Sequence, residues 1–164
     1  MITCLDVDYR TNGACAAAVV FQDWADAQPV DEVSVHLAKV EAYVSGEFYR
    51  RELPCLQAVI EKLPPVEILI VDGYVWLDGP GKPGLGAHLY RALAERIPIV
   101  GVAKTRFQGA DGVVEVLRGA SLRPLYISAV GIPVDFAASQ VRAMHGAHRI
   151  PSLIARVDRL CRDR

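Results

Sequence analysis

The stretch EILIVD, residues 67–72, carries four consecutive large apolar side chains and ends on an aspartate. An apolar run of this length without alternation is typical of a strand that is buried on both faces of a parallel sheet. In open α/β sheets the binding sites lie at the carboxyl ends of the strands. The run therefore predicts a buried strand that presents Asp72 at a functional edge of a sheet.

Three further strands are predicted before this run. Residues 2–9 (ITCLDVDY) alternate between apolar and polar side chains, and residues 14–22 read as a mostly buried strand. The Thr11-Asn12-Gly13 turn separates these two stretches, and residues 31–40 alternate again. Strands joined by turns this short pair as neighbours, so the first third of the chain predicts an antiparallel meander.

The rest of the chain alternates between helical and strand patterns. We predict helices over residues 48–62, 84–96, 134–145 and 151–162, and strands over residues 98–103, 112–118 and 123–128. Pro54 is tolerated only near the start of a helix, so an irregular first turn is expected there. The order predicts one α/β domain, residues 1–164, with a mixed sheet in which three antiparallel strands are followed by alternating helices and parallel strands. This order is typical of an RNase H-like fold.

Composition excludes several classes of protein. Hydrophobic residues make up 52% of the 164 residues, which is enough for a core, but no apolar stretch is long enough to span a bilayer. The four cysteines are scattered without a Cys-x-x-Cys pair, a usage typical of thiols in a reducing cytosol, and we expect a cytoplasmic protein. The net charge of −1 argues against tight nonspecific binding of long DNA, but leaves room for a small nucleic-acid footprint.

The aspartates of the first and fourth strands are candidate metal ligands. Asp6 stands between Leu5 and Val7, where an unpaired carboxylate is costly, and Asp8 shares its face of the strand. If the first strand and the 67–72 strand are neighbours, Asp6 meets Asp72. Converging carboxylates repel one another, and Mg²⁺ relieves this repulsion while binding water and phosphate.

Each of these residues could also have a purely structural role. Asp6 could pair with an arginine, Asp8 could be a surface residue, and Asp72 could cap the turn before Gly73. Lys104 follows the 98–103 strand, where it could bind a scissile phosphate at the same sheet edge or simply mark the end of the strand. The spacing alone does not decide between these interpretations.

Several motifs together resemble the endonuclease V family. In chain order they are LDVDY (5–9), YVSGEFYRRELPCL (43–56), VDG (71–73) and GVAK (101–104). The stretch LGAH (85–88) lies between the last two. The family has an RNase H-like fold, in agreement with the predicted order of elements. Its activity is Mg²⁺-dependent cleavage of a phosphodiester bond near a deaminated base, typically hypoxanthine, in DNA or RNA. The resemblance therefore implies a DNA-repair endonuclease that binds Mg²⁺ or Mn²⁺ and acts on nucleic acid, and we expect a monomer.

The resemblance also assigns roles to residues of this chain. By position, the catalytic and metal-binding carboxylates are Asp6, Glu52 and Asp72, and Lys104 is the lysine of the GVAK motif. Tyr43 matches the aromatic residue of a wedge that props open the strand, and the glycines around the flipped base are Gly46, Gly73 and Gly84. A wedge fills the gap left by an extracted base, and small residues let backbone amides approach the base edge.

Two departures from the family pattern leave a second interpretation of the function open. The family carries an active-site histidine in a Gly-His-Arg motif near the last strand, whereas this chain has Val130-Gly131-Ile132-Pro133. The prolines that flank the wedge tyrosine are also replaced, by Ala42 and Ser45. The alternative function is therefore a relative that binds nucleic acid without cutting it, or one that acts on a different substrate.

Overall fold

The computed structural model describes residues 1–42, 44–78 and 81–163. The strands are β1 (Ile2–Arg10), β2 (Gly13–Phe21), β3 (Asp31–Leu37), β4 (Ile68–Asp72), β5 (Trp76–Asp78), β6 (Lys82–Pro83), β7 (Ile99–Ala103), β8 (Val114–Val116) and β9 (Leu125–Val130). The helices are α1 (Phe48–Ile60), α2 (Leu85–Ala92), α3 (Val134–Ala143) and α4 (Ser152–Arg162).

Seven strands form the central sheet in the order β3-β2-β1-β4-β7-β9-β8. The pairs β1–β2 and β2–β3 are antiparallel, and β1–β4 and β4–β7 are parallel, which confirms the predicted mixed sheet. The strand pair β8–β9 is antiparallel, and β9 joins the sheet antiparallel to β7. The first three strands therefore form the predicted meander, and β4 lies in the middle of the sheet.

Helices cover both faces of this sheet, because its central strands are apolar on both sides. Helices α3 and α4 pack on the face that carries Cys4, Val19 and Ile70, whereas α1 and α2 pack on the face that carries Leu5, Ala18 and Leu69. The continuous apolar run of β4 requires that both faces of the central parallel strands be buried. Within the part of the chain that the structure describes, no helix has the length and apolar character needed to cross a membrane.

Two helices differ from the sequence-based prediction. The helix predicted over 84–96 ends at Ala92, where Leu93 adopts an extended conformation and turns inward with Ile97 to pack on the core. Helix α1 keeps regular structure past Pro54. Pro54 is exposed, so the Arg50 carbonyl that loses an amide partner there can be hydrated. The short hairpin of β5 and β6 was not predicted, because its proline and glycine content indicates a loop.

Candidate active site

The end of β4 places two aspartates side by side. Strands β1 and β4 run parallel with Leu5 opposite Val71, so Asp6 and Asp72 are the next residues beyond the last paired positions. Beyond this point β1 continues to Arg10 and pairs only with β2, which leaves an open notch at the sheet edge. Asp6, Asp8 and Asp72 line one pocket of about 360 Å³ in this notch, here called the carboxylate pocket.

Glu52 enters the carboxylate pocket from helix α1 on the opposite face of the sheet. Its side chain is 5% exposed although its neighbours on the helix, Arg51 and Leu53, are half-buried. The Oε2 atom of Glu52 is buried without a hydrogen-bond partner among the described residues. A buried carboxylate oxygen without a donor is costly, so Glu52 is placed for a ligand, a water or a proton.

Lys104 lies at the same edge, one residue beyond β7. Its ammonium donates a 2.7 Å hydrogen bond to the Asp72 carboxylate, and both side chains are about one-third exposed. Burial acts to lower the pKa of Lys104, but the contact with Asp72 and the charges of Asp6 and Asp158 outweigh it and raise the pKa overall. Lys104 is therefore a cation fixed beside the aspartates.

A fifth carboxylate of the pocket, Asp158, comes from helix α4. It faces Asp6 from the α4 layer and forms a 2.9 Å ion pair with Arg162, one turn further along the helix. Sequence reasoning missed Asp158, because the family resemblance directs attention to a histidine near residues 130–133. The spacing of Leu153, Ile154, Val157 and Cys161, which marks the buried face of α4, could have placed Asp158 beside that face.

The purely structural roles considered for the aspartates apply only in part. Asp8 pairs with Arg10 at 3.3 Å, as a surface residue would, while still lining the pocket. Asp6 has no ion pair among the described side chains and accepts only the amide of Val7, at 2.8 Å. Asp72 binds Lys104 instead of capping the turn at Gly73.

The carboxyl groups of Asp6 and Glu52 titrate far from their ordinary ranges. Burial, followed by the charge of Asp72, raises the pKa of Asp6 from 3.8 to about 7. Burial, followed by the charges of Asp6 and Asp72, raises the pKa of Glu52 from 4.5 to about 8. Both groups thus hold protons near neutral pH unless a cation takes their place.

The donor set fits a hard divalent cation, although the side chains are not yet gathered around one. Among residues 1–42, 44–78 and 81–163, no three acidic, histidine or cysteine side chains converge closely enough to hold a metal ion. Two of the carboxylates are instead paired, Asp72 with Lys104 and Asp158 with Arg162.

An apolar pocket of about 480 Å³ adjoins the carboxylate pocket, and Phe48 and Asp72 line both cavities. The three glycines predicted to surround a base, Gly46, Gly73 and Gly84, line this apolar pocket. At Gly84 a Cβ atom would lie 2.5 Å from the carbonyl oxygen of Tyr74, so only glycine permits this close packing. Tyr43, the predicted wedge, lies outside the described residues.

A stacked pair of rings forms one wall of the apolar pocket. Tyr49 and His88 lie face to face, with ring centroids 3.5 Å apart and planes 8° from parallel. Burial, followed by the charge of Arg91, lowers the pKa of His88, so its imidazole is neutral at neutral pH. Flat apolar walls around a space of this size suit an aromatic heterocycle.

Comparisons with known proteins agree on one family. The sequence profile of the family described as endonuclease V matches residues 1–159. A curated endonuclease V of Streptomyces avermitilis is 32% identical over 188 residues, which cover 98% of this chain and 79% of the relative. A crystal structure of an endonuclease V from the same organism is 28% identical, with a TM-score of 0.76 over 99% of this chain and 79% of that chain.

The RNase H-like arrangement is shared with a more distant relative as well. Endonuclease V of Ciona intestinalis, solved in complex with a 24-mer DNA containing an inosine followed by a ribo-adenosine, is 17% identical. Its TM-score is 0.79 over 99% of this chain and 84% of that chain. At this identity the likeness shows the fold, which confirms the fold class predicted from the order of elements.

Proposed function

The chain belongs to the endonuclease V family of nucleases, and on this premise we propose that it hydrolyses a phosphodiester bond near a deaminated base, such as inosine, with Mg²⁺ or Mn²⁺ as cofactor. The observation that carries the proposal is the carboxylate pocket, where Asp6, Glu52, Asp72 and Asp158 meet beside Lys104. A cluster of carboxylates beside a lysine, at the wall of a base-sized cavity, suits phosphodiester hydrolysis next to an extracted base.

The side chains of the carboxylate pocket fit the proposed cofactor. Their donor atoms are carboxylate oxygens, which Mg²⁺ and Mn²⁺ prefer. Asp6, Glu52 and Asp72 would hold the ion, and Asp158 is the further ligand that the geometry adds. The unpartnered Oε2 of Glu52 supports this assignment. When bound, such an ion supplies Lewis-acid stabilisation of the phosphate and lowers the pKa of a bound water.

Lys104 is positioned to bind the scissile phosphate. When Asp72 turns toward an ion, the hydrogen bond between Lys104 and Asp72 is released, and the ammonium is free to donate to a phosphate oxygen. A fixed cation stabilises the negative charge that gathers on the phosphate in the transition state. Glu52 lines the same pocket, where it would bind the ion through a water molecule or orient the attacking water.

The apolar pocket is the proposed site of the extracted base. Phe48 separates it from the carboxylate pocket, so a base bound there holds its own backbone close to the acids. Removing a base from its stack costs a few kcal/mol, least for a mispaired or single-stranded base, and this favours deaminated positions. Tyr43 would fill the gap left in the stack.

Cleavage of inosine-containing strands tests the proposal directly. Labelled single strands with one inosine, in DNA and in RNA, are incubated with Mg²⁺ or Mn²⁺ and wild-type protein, Asp72→Asn, or the exposed control Asp111→Asn. We expect cutting near the inosine by the wild type and by Asp111→Asn, and none by Asp72→Asn. Binding without cutting by the wild type would support the alternative of a non-catalytic relative. Equal cutting of strands with and without inosine would support the alternative of a nuclease with a different substrate.

A further inference from the structure

We propose that a cationic groove next to the carboxylate pocket binds phosphates of the substrate strand on the far side of the scissile bond, away from the extracted base. This cationic groove is formed by the turn after β1 and the segment after β3, and it measures about 610 Å³. Its polar residues are three cations, one acid and two neutral side chains: Arg10, Lys39, Arg51, Glu41, Thr11 and Asn12. The inference rests on the proposed function, because it extends the path of the same strand.

The three cavities follow one another along the surface. The apolar pocket and the carboxylate pocket share Phe48 and Asp72, and the cationic groove shares no residue with either but begins at Arg10, next to Tyr9 of the carboxylate pocket. Tyr9 forms the boundary between the carboxylate pocket and the groove, since it lines the former and carries Arg51 on its ring. A strand with its base in the first cavity and its cleaved phosphate in the second is thereby directed into the third.

The groove offers a hydrogen-bond donor that is not used within the described part of the protein. The Arg51 guanidinium lies over the Tyr9 ring, with its central carbon 3.7 Å from the ring centroid. The buried Nε of Arg51 has no hydrogen-bond partner among the described residues. An unpaired buried donor costs about 1–3 kcal/mol, so a shift of the Arg51 side chain that brings this Nε to an acceptor in the groove is favourable. A guanidinium stacked on a ring still donates from its edge, which suits a phosphate.

Lys39 supplies a second free cation at the mouth of the groove. It is exposed and makes no ion pair within the described part of the chain. Arg10, in contrast, donates to Asp8 and to the carbonyl oxygens of Cys161 and Arg162, so it shapes the groove rather than binding a ligand. Glu41 also lines the groove, which is cationic on balance because Arg10, Lys39 and Arg51 outnumber this one carboxylate. The net charge of the whole protein, in contrast, is −1.

Charge reversal at Lys39 tests the groove in a binding assay that needs no catalysis. Lys39→Glu is compared with Lys62→Glu, a matched reversal of another exposed lysine outside the groove, and Kd is measured by fluorescence anisotropy in EDTA with an inosine-containing single strand. We expect Lys39→Glu to weaken binding about tenfold and to lower the salt slope by about 0.7 for the lost phosphate contact. Lys62→Glu should bind within about twofold of the wild type, as expected for a charge away from the strand.

Strand length then locates the contact. The same strand is shortened one nucleotide at a time from each end, and the Lys39→Glu defect should disappear when it is shortened from one end only. Equal binding by Lys39→Glu and Lys62→Glu would overturn the inference, and so would a defect that persists on strands shortened from either end. Failure of the wild type to cut with Mg²⁺ or Mn²⁺ would count against the proposed function alone, because the binding assay contains no metal.

Discussion

Asp158 reaches the carboxylate pocket from the last helix, and Arg162 and Lys104 are the cations that balance its charge and that of Asp72. We expect Asp158→Asn to lower the cleavage rate by about 100-fold or more, because the proposed cation, which stabilises the charge on the phosphate, loses one of its carboxylate ligands. The rate is measured under single-turnover conditions with an inosine-containing strand. Asp163→Asn, which changes an exposed acid at the end of the same helix, is the matched control. Cutting by Asp158→Asn within about threefold of the wild type would show that this acid takes no part.

Glu52 predicts a pH dependence of stability in the metal-free protein. Its pKa rises from 4.5 to about 8 on folding, mainly because of burial, so the folded state binds this proton more tightly than the unfolded chain. The stabilisation is fully present below about pH 4.5, where Glu52 is protonated in both states, and is lost as the pH rises through about 8. Glu52→Gln keeps the shape without the charge. We therefore expect it to raise Tm in EDTA at pH 9 by at least about 2–4 °C, roughly 1 kcal/mol, and to have little effect at pH 5.

The comparison at pH 5 serves as the internal control of that experiment. A gain in Tm of equal size at both pH values would mean that packing rather than ionisation explains the effect. Glu61→Gln, an exposed neutral substitution after the end of α1, should leave Tm unchanged at either pH. Cleavage by Glu52→Gln should fail at every pH, because the proposed ligand is absent.

Helix α4 carries Asp158, and a single buried arginine fixes the segment that leads into it. Arg118 is 6% exposed and donates to five carbonyl oxygens around the end of α3 and the α3–α4 connection: Arg142, Met144, Gly146, His148 and Arg149. The adjacent Gly119 allows the close approach, since a Cβ atom there would lie 2.3 Å from the carbonyl oxygen of Ala147. Arg149 in turn donates to the carbonyl oxygens of Lys104 and Pro124 and so joins this segment to β7 and β9.

Arg118→Met should therefore destabilise the whole domain. The substitution fills a similar volume but leaves several buried carbonyl groups without donors, and we expect a loss of about 3 kcal/mol or more in the free energy of unfolding. Urea denaturation followed by circular dichroism measures it. The exposed Arg123→Met should cost less than about 0.5 kcal/mol. If both variants unfold at the same urea concentration, water rather than Arg118 satisfies these carbonyl groups.

At the scale of elements, most of the structure was predictable and the boundaries were not. Strand β4 was identified within one residue because a short apolar run that ends on an aspartate is typical of a buried strand with a polar end, and α4 also begins within one residue of its predicted start. Helix α2 ends four residues earlier than predicted, since the packing of Leu93 and Ile97 overrides helix propensity. The contact of Arg118 with a segment some 25 residues away has no signature in local sequence.

The arrangement of the whole molecule brings together site residues that the sequence alone did not place side by side. The pocket joins residues that are 152 positions apart, because Asp6 lies on β1 and Asp158 lies on α4, which packs against β1 and β2. We expected Asp6 to meet Asp72 if the first and fourth strands were neighbours, and the sheet order confirms that they are. Lys104 was expected at the same edge because it follows the strand next to β4. The apolar spacing of α4 could have placed Asp158 beside the buried face of that helix, but it does not tell which turn reaches the sheet edge. Glu52 was assigned to the site only through the family resemblance. Its buried carboxylate in the same pocket gives a physical reason for that assignment.

Because the pocket draws on β1, α1, β4 and α4, a cation bound there should stabilise the entire domain. Mg²⁺ or Mn²⁺ at 100 times its Kd would add about 2.7 kcal/mol, or a Tm increase of about 5–10 °C. The increase should be largest above pH 8 and should shrink toward pH 6, because Asp6 and Glu52, with pKa values of about 7 and about 8, must lose their protons to bind the ion. Differential scanning calorimetry with Asp72→Asn as control measures it. A shift of the same size in Asp72→Asn, or one that does not change with pH, would place the cation on some other part of the surface.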